Sequence, residues 1–526
     1  MVYTLENVRD LKYGALGNGA QDDAPAIQKA LDAVAALGGG VVYLPQGTYN
    51  IGNVLTLKDN TKLLGTGKGS IIVNRNDTNR ALLQIKGNDV MVEDLMLEYS
   101  APSNGVGIDW GAGATHSSIR NCLFTGITAQ GINMNQPGIK HISITNCQFF
   151  KINYGILVNL YANDLYDLRI IGNQFFDIYG DPIEINSPIK QMGMNREPFD
   201  SAHAIIISGN YISCPLGLGT SENSGFGIGI AGATRVTIVG NVLDNCRQQG
   251  IHIEDYASHI VINGNTIYDV GSEPNNGTNS GIYVLDGDFI TINGNSIYRC
   301  DDYGIQLDYN SSRRVHGVSL ASNLITDCGS GILISGGGFN DFSITDNIVM
   351  RNSGHGLTIV GEPIGIKVTG NTFRSNGAYG IVMNKGIFLG ELSGNSLYGN
   401  KAGAYQYTSS STKIPLVLGD QTNYLFTPIT GNYTPWVNVI SLGKVADGLL
   451  YCIAKNGTQS KTELHKIQWD GLQLNSIKVK EELIGTIELM EPRINGNNLQ
   501  LQVHHTAANG TNIQLFVQFF GKIMFA

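Results

Sequence analysis

One short pattern of apolar and polar residues recurs along the middle of the chain. A glycine and a branched apolar residue are followed by alternating positions, as in Gly250-Ile-His-Ile-Glu and Gly304-Ile-Gln-Leu-Asp. This alternation predicts a β-strand that buries its apolar side. Its other side carries polar residues whose identity changes along the repeat, so we look there for chemistry. Further copies begin at Gly131, Gly155, Asp181, Gly281, Gly331, Gly356 and Gly380.

A second repeated signal is an apolar strand that ends in Asn, usually as Gly-Asn, before another apolar pair. Five of the ten spacings between successive Asn residues are 24 or 25 residues, and the others are longer. A period with occasional insertions indicates a solenoid, and three short strands per period predict a parallel β-helix. We expect these Asn residues to accept a left-handed backbone and to bond from coil to coil. They lie at positions 121, 146, 173, 210, 241, 265, 295, 323, 347, 371 and 395.

The segments on either side of the repeat have different patterns. Residues 1–52 are expected to hold the first strands and a capping helix that begins at Asp22 or Asp23, with Pro25 in its first turn. Gly38 ends this helix, which would cover the bare strand edges of the first coil. Its apolar stripe is Ile27, Leu31, Val34 and Leu37.

Two further domains are expected after the cap. Residues 53–405 form the β-helix, and a Ser- and Thr-rich linker begins near Thr408. Residues 413–526 have longer alternating segments and Asn-Gly turns, which predict an antiparallel β-sandwich. The sandwich would serve oligomerisation, cap the last coil or bind carbohydrate. The expected fold class is therefore all-β.

Composition narrows the classes of partner. The net charge of −9 argues against nucleic acid and anionic membranes. The sequence contains no run of 18 or more apolar residues, so we expect no membrane span. The N-terminal residues do not resemble a signal peptide. The seven cysteines have no disulfide-framework spacing, so we expect buried free thiols and folding in a reducing compartment.

Outward residues of aligned coils should stack in columns, because neighbouring parallel strands lie about 4.8 Å apart. Two insertions, Ser187–His203 and Gly271–Ser280, flank these strands. We expect them to form the two walls of a substrate-binding groove along the outward residues. The first column should contain Asn133, Leu157, Glu184, Gly229, His252, Tyr283 and Gln306. The second should contain Asn135, Asn159, Asn186, Ala231, Glu254, Leu285 and Asp308.

Four residues are candidates for catalysis: Glu254, Asp308, Glu184 and His252. Glu254 and Asp308 are expected to share a column two coils apart, with carboxyl groups about 7–9 Å from each other. This spacing suits an inverting glycosidase. His252 would act as an acid or base, or would only be satisfied by a neighbouring carboxylate.

Six residues are candidates for substrate binding. Tyr283 would stack on a sugar ring, and Asp181 would cap a turn or support Glu184. We expect no metal ligands and no cofactor. The other four candidates are Gln306, Asn186, Asn159 and Asp286.

The opening segment resembles a known superfamily. Gly17-Asn-Gly-Ala-Gln-Asp-Asp-Ala-Pro and Gly38-Gly-Gly-Val-Val-Tyr-Leu-Pro-Gln-Gly-Thr-Tyr look like the first module of pectate-lyase-like right-handed parallel β-helix proteins. The resemblance covers residues 5–405. It is strongest to phage tail-spike depolymerases, and it implies a homotrimer on a virion or outside the cell that acts on a polysaccharide.

Two other groups of the superfamily match only in part. Asp301-Asp-Tyr-Gly-Ile and Ser353-Gly-His-Gly-Leu are similar to polygalacturonase motifs, but they lie two coils apart and lack an Asn-Thr-Asp partner. Tyr179-Gly-Asp-Pro-Ile-Glu is similar to the Asp-Pro-His-Glu pattern of alginate epimerases, but lacks its His.

The expected function is acid/base hydrolysis of a bacterial surface or capsular polysaccharide. A lyase or uronate epimerase is the first alternative, with Tyr283 or His252 as the base. Against this alternative, the outward strand positions contain no Lys or Arg that could neutralise the carboxylate of a uronate. A non-catalytic adhesin that only binds glycan is the second alternative.

Overall fold

The computed structural model contains one all-β chain whose described residues form two compact units, 1–290 and 291–526. No helix in the described part of the chain is long and apolar enough to cross a bilayer. The described residues are 4–74, 81–99, 105–126, 130–159, 164–187, 189–192, 195–198, 202–214, 225–271, 278–309, 315–336, 339–361, 364–384, 389–408, 415–426, 437–441, 445–456, 459–470, 472–484, 488–489, 491–495, 498–504 and 513–524.

The first unit is a parallel β-helix. Each coil contributes one strand to a parallel sheet, which we call the site face. The inward residues of these strands, such as Ile183, Ile185, Ile251 and Ile253, are fully buried. The site-face strands of this unit are Leu55–Leu57, Ala81–Ile85, Val106–Trp110, Gln130–Met134, Tyr154–Asn159, Ile183–Asn186, Ile228–Ala231, Ile251–Glu254 and Ile282–Leu285.

Two further faces complete these coils. One contains Leu5–Asn7, Gly40–Tyr43, Thr61–Leu64, Met91–Glu93, Ser118–Arg120, Lys140–Thr145, Leu165–Ile171, Ala202–Ser208, Thr234–Val239 and Ser258–Asn263. The other contains Asn18–Asp22, Gly47–Asn50, Ser70–Asn74, Met96–Tyr99, Leu123–Thr125, Gln148–Phe150, Gln174–Phe176, Tyr211–Ser213, Val242–Asp244 and Thr266–Val270.

The second unit also contains parallel coils. Its site-face strands are Tyr303–Asp308, Ser330–Ser335, Leu357–Val360, Tyr379–Asn384 and Gly403–Thr408. The boundary between the units falls within the strand Asp288–Asn293. The strands of the other faces of the second unit are Ser296–Cys300, Val315–His316, Ser319–Ala321, Leu324–Thr326, Phe339–Asn340, Ser343–Thr345, Ile348–Met350, Ile364–Thr369, Thr372–Arg374 and Leu389–Tyr398.

The chain ends in antiparallel strands. The first of them, Pro415–Phe426, pairs in parallel with Leu389–Tyr398 of the last coil and antiparallel with Ile513–Met524. The β-sandwich stays a prediction, as does the boundary between 405 and 413; residues 409–414 of the predicted linker lie outside the described part. The other antiparallel strands are Val437–Ser441, Val445–Asn456, Gln459–Trp469, Leu474–Ile484, Glu488–Leu489, Arg493–Asn495, Asn498–Leu501 and Val503–His504.

The predicted N-terminal helix spans Ala24–Ala36, with Asp23 at its N-cap. It packs against the first coils through strands Gly40–Tyr43 and Leu55–Leu57. Ile27, Leu31 and Val34 are buried as expected, but Leu37 is 66% exposed. The prediction for Leu37 was wrong because the helix stops at Ala36, so the 3.6-residue period no longer sets the direction of the next side chain. Its role as a cap stays a prediction.

The Asn ladder exists, with one correction. Asn210 donates through Nδ2 to Asn241 Oδ1 at 2.9 Å, and the same bond recurs from Asn371 to Asn395. In each Gly-Asn pair the glycine takes the left-handed backbone, with Gly240 at φ 63° before Asn241. Asn121 and Asn146 are themselves left-handed and stand one position before the ladder. Cys122 and Cys147 take the ladder position there, and the N–H of Cys147 donates to Asn173.

The seven cysteines are all buried free thiols, as the sequence predicts. Several donate weakly to backbone carbonyls, as Cys147 does to the carbonyl of Thr145 at 3.4 Å. They therefore act as small core residues, six of them in the coils and Cys452 on the antiparallel strand Val445–Asn456.

Candidate functional site

The site-face strands of the first unit stack in register, which confirms this part of the predicted columns. The second column includes Asn159, Asn186, Ala231 and Glu254. The first column is longer than the sequence analysis found, because the Gly-Ile pair at 107–108 was overlooked. It runs through Gln84, Asp109, Asn133, Leu157, Glu184, Gly229, His252 and Tyr283.

Glu184 is a half-buried acid at the centre of the first column. Asn186 Nδ2 donates to its Oε1 at 2.6 Å. Burial raises the pKa of Glu184, and the negative charge of Glu254 adds to the rise. The bond from Asn186 and the charge of His252 oppose it. Glu184 is thus biased towards its neutral form, which can donate a proton.

Asp181 lies just before the strand that carries Glu184 and is 1% exposed. Its Oδ1 accepts from the backbone N–H groups of Gly225 at 2.6 Å and Phe226 at 2.8 Å. Burial, and next the charge of Glu184, raise the pKa of Asp181 to about 8. Asp181 therefore ties the strand that carries Glu184 to the turn of the following coil.

His252 is held by a chain of polar contacts and is 7% exposed. The amide group of Gln249 donates to the carbonyl and to the hydroxyl of Thr278. Because the nitrogen of this amide faces Thr278, the amide oxygen Oε1 of Gln249 faces His252 Nδ1, at 3.3 Å. An amide oxygen only accepts, so Nδ1 must carry a hydrogen.

The other ring nitrogen faces Glu254. His252 Nε2 is 3.4 Å from Glu254 Oε2, an ion-pair distance without hydrogen-bond alignment. With Nδ1 protonated, this contact is attractive only if one further proton lies on Nε2 or on the carboxyl group. The interaction with His252 lowers the pKa of Glu254 despite the opposing effect of burial. Glu254 is therefore biased towards the carboxylate.

Aromatic rings surround His252. The Phe226 ring lies 4.4 Å from the imidazole, and Tyr283 meets it edge-on at 5.1 Å. A Cβ on Gly229 would come to 3.6 Å from Phe226 and 3.7 Å from the Glu184 side chain. Phe226 was not predicted from the sequence, because it precedes the strand Ile228–Ala231 and lies outside the alternation of apolar and polar residues.

Two more residues that the sequence analysis missed lie beside the acids. Tyr154 is half-buried, and its pKa is raised by burial and then by the charges of Asp181 and Glu184. Arg247 is 2% exposed, packs against the backbone of Gly225 and opposes the rise in the pKa of Asp181. Arg247 lies in the turn before Ile251–Glu254, so the outward positions of that strand still carry no Arg.

Other predicted binding residues lie further out. Asn159 stands beside Asn186 in the second column. Asp286 follows the strand of Tyr283 with a left-handed backbone of φ 59°. In the first predicted wall, Ile189–Met192 and Asn195–Pro198 form an antiparallel hairpin. Residues 272–277 of the second wall lie outside the described residues.

Asp308 and Gln306 belong to the second unit. Gln306 Nε2 donates to Asp308 Oδ2 at 2.7 Å. The predicted separation of Asp308 from Glu254 stays a prediction. The loop acids of this unit include Asp301, whose pKa is raised by burial and by Asp302, and burial lowers the pKa of His355. Among the residues that the structure describes, no group of His, Cys, Asp and Glu is arranged to hold a metal ion.

Known proteins share the fold of this chain. Residues 200–373 match the family described as right handed beta helix region, and residues 6–99 match rhamnogalacturonase A/epimerase, pectate lyase-like. These two matches and the parallel coils show that the chain has the fold of the right-handed parallel β-helix superfamily. The pre-mature bacteriophage phi29 gene product 12 superposes with a TM-score of 0.56 at 18% identity, over 77% of this chain and 56% of that one. At this identity the likeness shows the fold alone.

Curated relatives match over short segments. Mannuronan C5-epimerase AlgE3 of Azotobacter vinelandii is 47% identical over 74 residues, which is 13% of this chain and 4% of that protein. Plasmin and fibronectin-binding protein A of Streptococcus pneumoniae is 47% identical over 70 residues, or 13% and 10%. The chain thus spans a tenth or less of the length of these two relatives.

Proposed function

We propose that the protein is an enzyme that cleaves a polysaccharide by hydrolysis, with Glu184 as the general acid and Glu254 as the general base. One observation carries the assignment: the surroundings of these two acids shift their pKa values in opposite directions. A pair of carboxyl groups with divergent pKa values is the arrangement that glycoside hydrolysis uses.

The register of the strands supports the pairing. Glu184 and Glu254 lie two strands apart and two positions out of line. Strand spacings then separate their backbones by about 12 Å. Side chains that lean towards each other would bring the carboxyl groups into the range of roughly 6.5–9.5 Å that leaves room for a water in an inverting enzyme.

Asp308 remains a second candidate partner for Glu254. Its Oδ2 accepts a hydrogen bond from Gln306 Nε2, so a neighbouring amide holds the carboxyl group in place.

A lyase or epimerase is the second candidate function, and Tyr154 favours it. Its phenol lies close enough to Asp181 and Glu184 for their charges to raise its pKa. Lyases and epimerases remove a proton beside a uronate carboxylate and also need an acid that delivers one. A tyrosine whose raised pKa keeps it protonated can act as that acid. Arg247 provides a positive charge in the same cluster, although its burial keeps it from the surface.

The products distinguish these reactions. The protein is incubated with a panel of bacterial capsular polysaccharides and exopolysaccharides. New reducing ends without unsaturated uronates support hydrolysis, and the ultraviolet absorbance of unsaturated uronates supports elimination. Altered uronate stereochemistry without shortening supports epimerisation. Binding without any product supports the adhesin and overturns the enzymatic proposal.

The proposed setting is a phage tail-spike-like protein on a virion or outside a cell. The β-helix followed by antiparallel strands supports this plan, as does the shared fold of a bacteriophage gene product. A homotrimer and a capsular substrate belong to the same proposal.

A further inference from the structure

Part of the first column lies outside the proposed catalytic pair. Gln84, Asp109 and Asn133 follow one another in register on three neighbouring site-face strands. All three side chains are half-buried. On the strand of Asp109, the flanking Ile108 and Trp110 are completely buried. Asp109 therefore points away from the core, on the same face as Glu184.

Two amide groups hold the carboxyl group of Asp109. Asn133 Nδ2 donates to Oδ1 at 3.2 Å, and Gln84 Nε2 lies at the limiting distance of 3.5 Å from Oδ2. Burial raises the pKa of Asp109, and the two amides oppose the rise. A carboxylate has about four acceptor positions, so two remain for a ligand.

We propose that Asp109, between Gln84 and Asn133, is a second glycan-binding position that accepts hydrogen bonds from the hydroxyl groups of a neutral sugar. This inference rests on the proposed function, because it concerns the same polysaccharide and the same face. The chemistry favours a neutral residue: a hydroxyl group donates, whereas the carboxylate of a uronate only accepts and is repelled by Asp109.

The position is well separated from the reaction. Three strand steps lead from Asp109 through Asn133 and Leu157 to Glu184, a distance of about 14 Å. Leu157 is 8% exposed and offers a small apolar contact between the two polar positions. One sugar residue cannot touch both acids, so a polysaccharide that fills both must run along the stack of coils.

The role as a binding position predicts a specific kinetic signature. Asp109→Ala removes a contact that is made equally in the ground state and the transition state. KM for a long polysaccharide should therefore rise while kcat stays unchanged. Fragments too short to span both positions should be cleaved with the same kcat/KM by the parent and the variant.

The experiment measures binding without requiring cleavage. The parent chain, Asp109→Ala and the isosteric Asp109→Asn are applied to an array of bacterial surface polysaccharides that includes neutral and uronate-bearing chains. Loss of a hydrogen bond to a charged group should weaken binding of Asp109→Ala to neutral chains about tenfold or more. Glu98→Ala is the matched control, since Glu98 is a half-buried strand acid on another face and should change nothing.

The outcomes separate this inference from the proposed function. Unchanged binding by both Asp109 variants overturns the inference, as does a selective loss of uronate-bearing chains. Neither result affects the assignment of Glu184 and Glu254, which fails on its own if their variants still cleave. A parent chain that binds nothing on the array overturns both.

Discussion

At the residue scale, the site depends on how neighbours set the charge of two acids. Glu184 is kept towards the neutral form by burial and by Glu254, whereas His252 keeps Glu254 ionised. Gln249 contributes indirectly, because its oxygen fixes the hydrogen on Nδ1 of His252. Single substitutions at these positions should therefore change pH dependence as well as rate.

The first prediction concerns His252→Gln. Glutamine removes the imidazole whose interaction lowers the pKa of Glu254, so the pKa of that carboxyl group rises. The base must be ionised to work, and the acidic limb of the kcat/KM profile should move to higher pH. His259→Gln is the control, because His259 is exposed on another face. An acidic limb that stays at the same pH would contradict the role of His252 in lowering the pKa of Glu254.

The second prediction concerns Asp181→Asn and stability. The pKa of Asp181 is about 8 in the folded chain, against an ordinary value of about 3.9. Between these values the folded chain holds a proton that the unfolded chain has lost, so the free energy of unfolding falls as pH rises. Asparagine can still accept from Gly225 and Phe226 but does not titrate. Denaturant unfolding from pH 4 to 8 should therefore show a flatter profile for the variant.

The control for this stability measurement is Asp89→Asn. Asp89 is exposed and has a left-handed backbone that asparagine tolerates. Its pH profile should match that of the parent. Equal slopes for the parent and Asp181→Asn would show that Asp181 does not retain its proton on folding.

At the element scale, the amide ladder locks one coil to the next. Asn371 donates to Asn395 at 2.9 Å and to the carbonyl of Ile344 at 2.8 Å, and it accepts from the backbone and side chain of Asn347. Its side chain is completely buried. Each bond lost from such a position leaves a buried polar group unsatisfied.

The third prediction follows for Asn371→Ala. Removing this side chain should lower the free energy of unfolding by roughly 2–5 kcal/mol, because several buried groups lose their partners. Denaturant unfolding measures the loss, with Asn263→Ala as the control on an exposed strand residue. A loss no larger than that of the control would mean that the ladder contributes little to stability.

Elements also show what sequence patterns can and cannot predict. Period two and the repeat of about two dozen residues suffice to place Glu184, His252 and Glu254 in their columns. They do not place Phe226 or Arg247, because these lie in turns whose packing depends on the neighbouring coil. The same limit applies to Asn121, since the pattern marks a turn but not which of its residues becomes left-handed.

At the scale of the whole molecule, the fold was predictable because every coil must meet the same two physical requirements. Every turn buries branched residues inward and satisfies its backbone through the neighbouring coils. Function was less predictable, because outward positions are free of that constraint. The resemblance of the opening segment indicates the superfamily, and only local contacts such as those of Glu254 distinguish possible reactions.

The fourth prediction concerns assembly. The chain has a mass of 56.6 kDa, and the proposed trimer should have three times that mass in light scattering after size exclusion. The interface should not involve the site face, so Asp109→Ala and Glu254→Gln should keep the same mass. A monomer at all concentrations tested would contradict the tail-spike-like arrangement without affecting the chemistry.

The most direct test of the central claim is cleavage by Glu184→Gln and Glu254→Gln. Glutamine keeps the shape of each side chain but cannot exchange a proton, and acid or base catalysis contributes about 10²- to 10⁴-fold. With the polysaccharide that the parent degrades, both variants should lose activity by that factor in a reducing-end assay while keeping their unfolding midpoints. Full activity in either variant would contradict the assignment of acid and base.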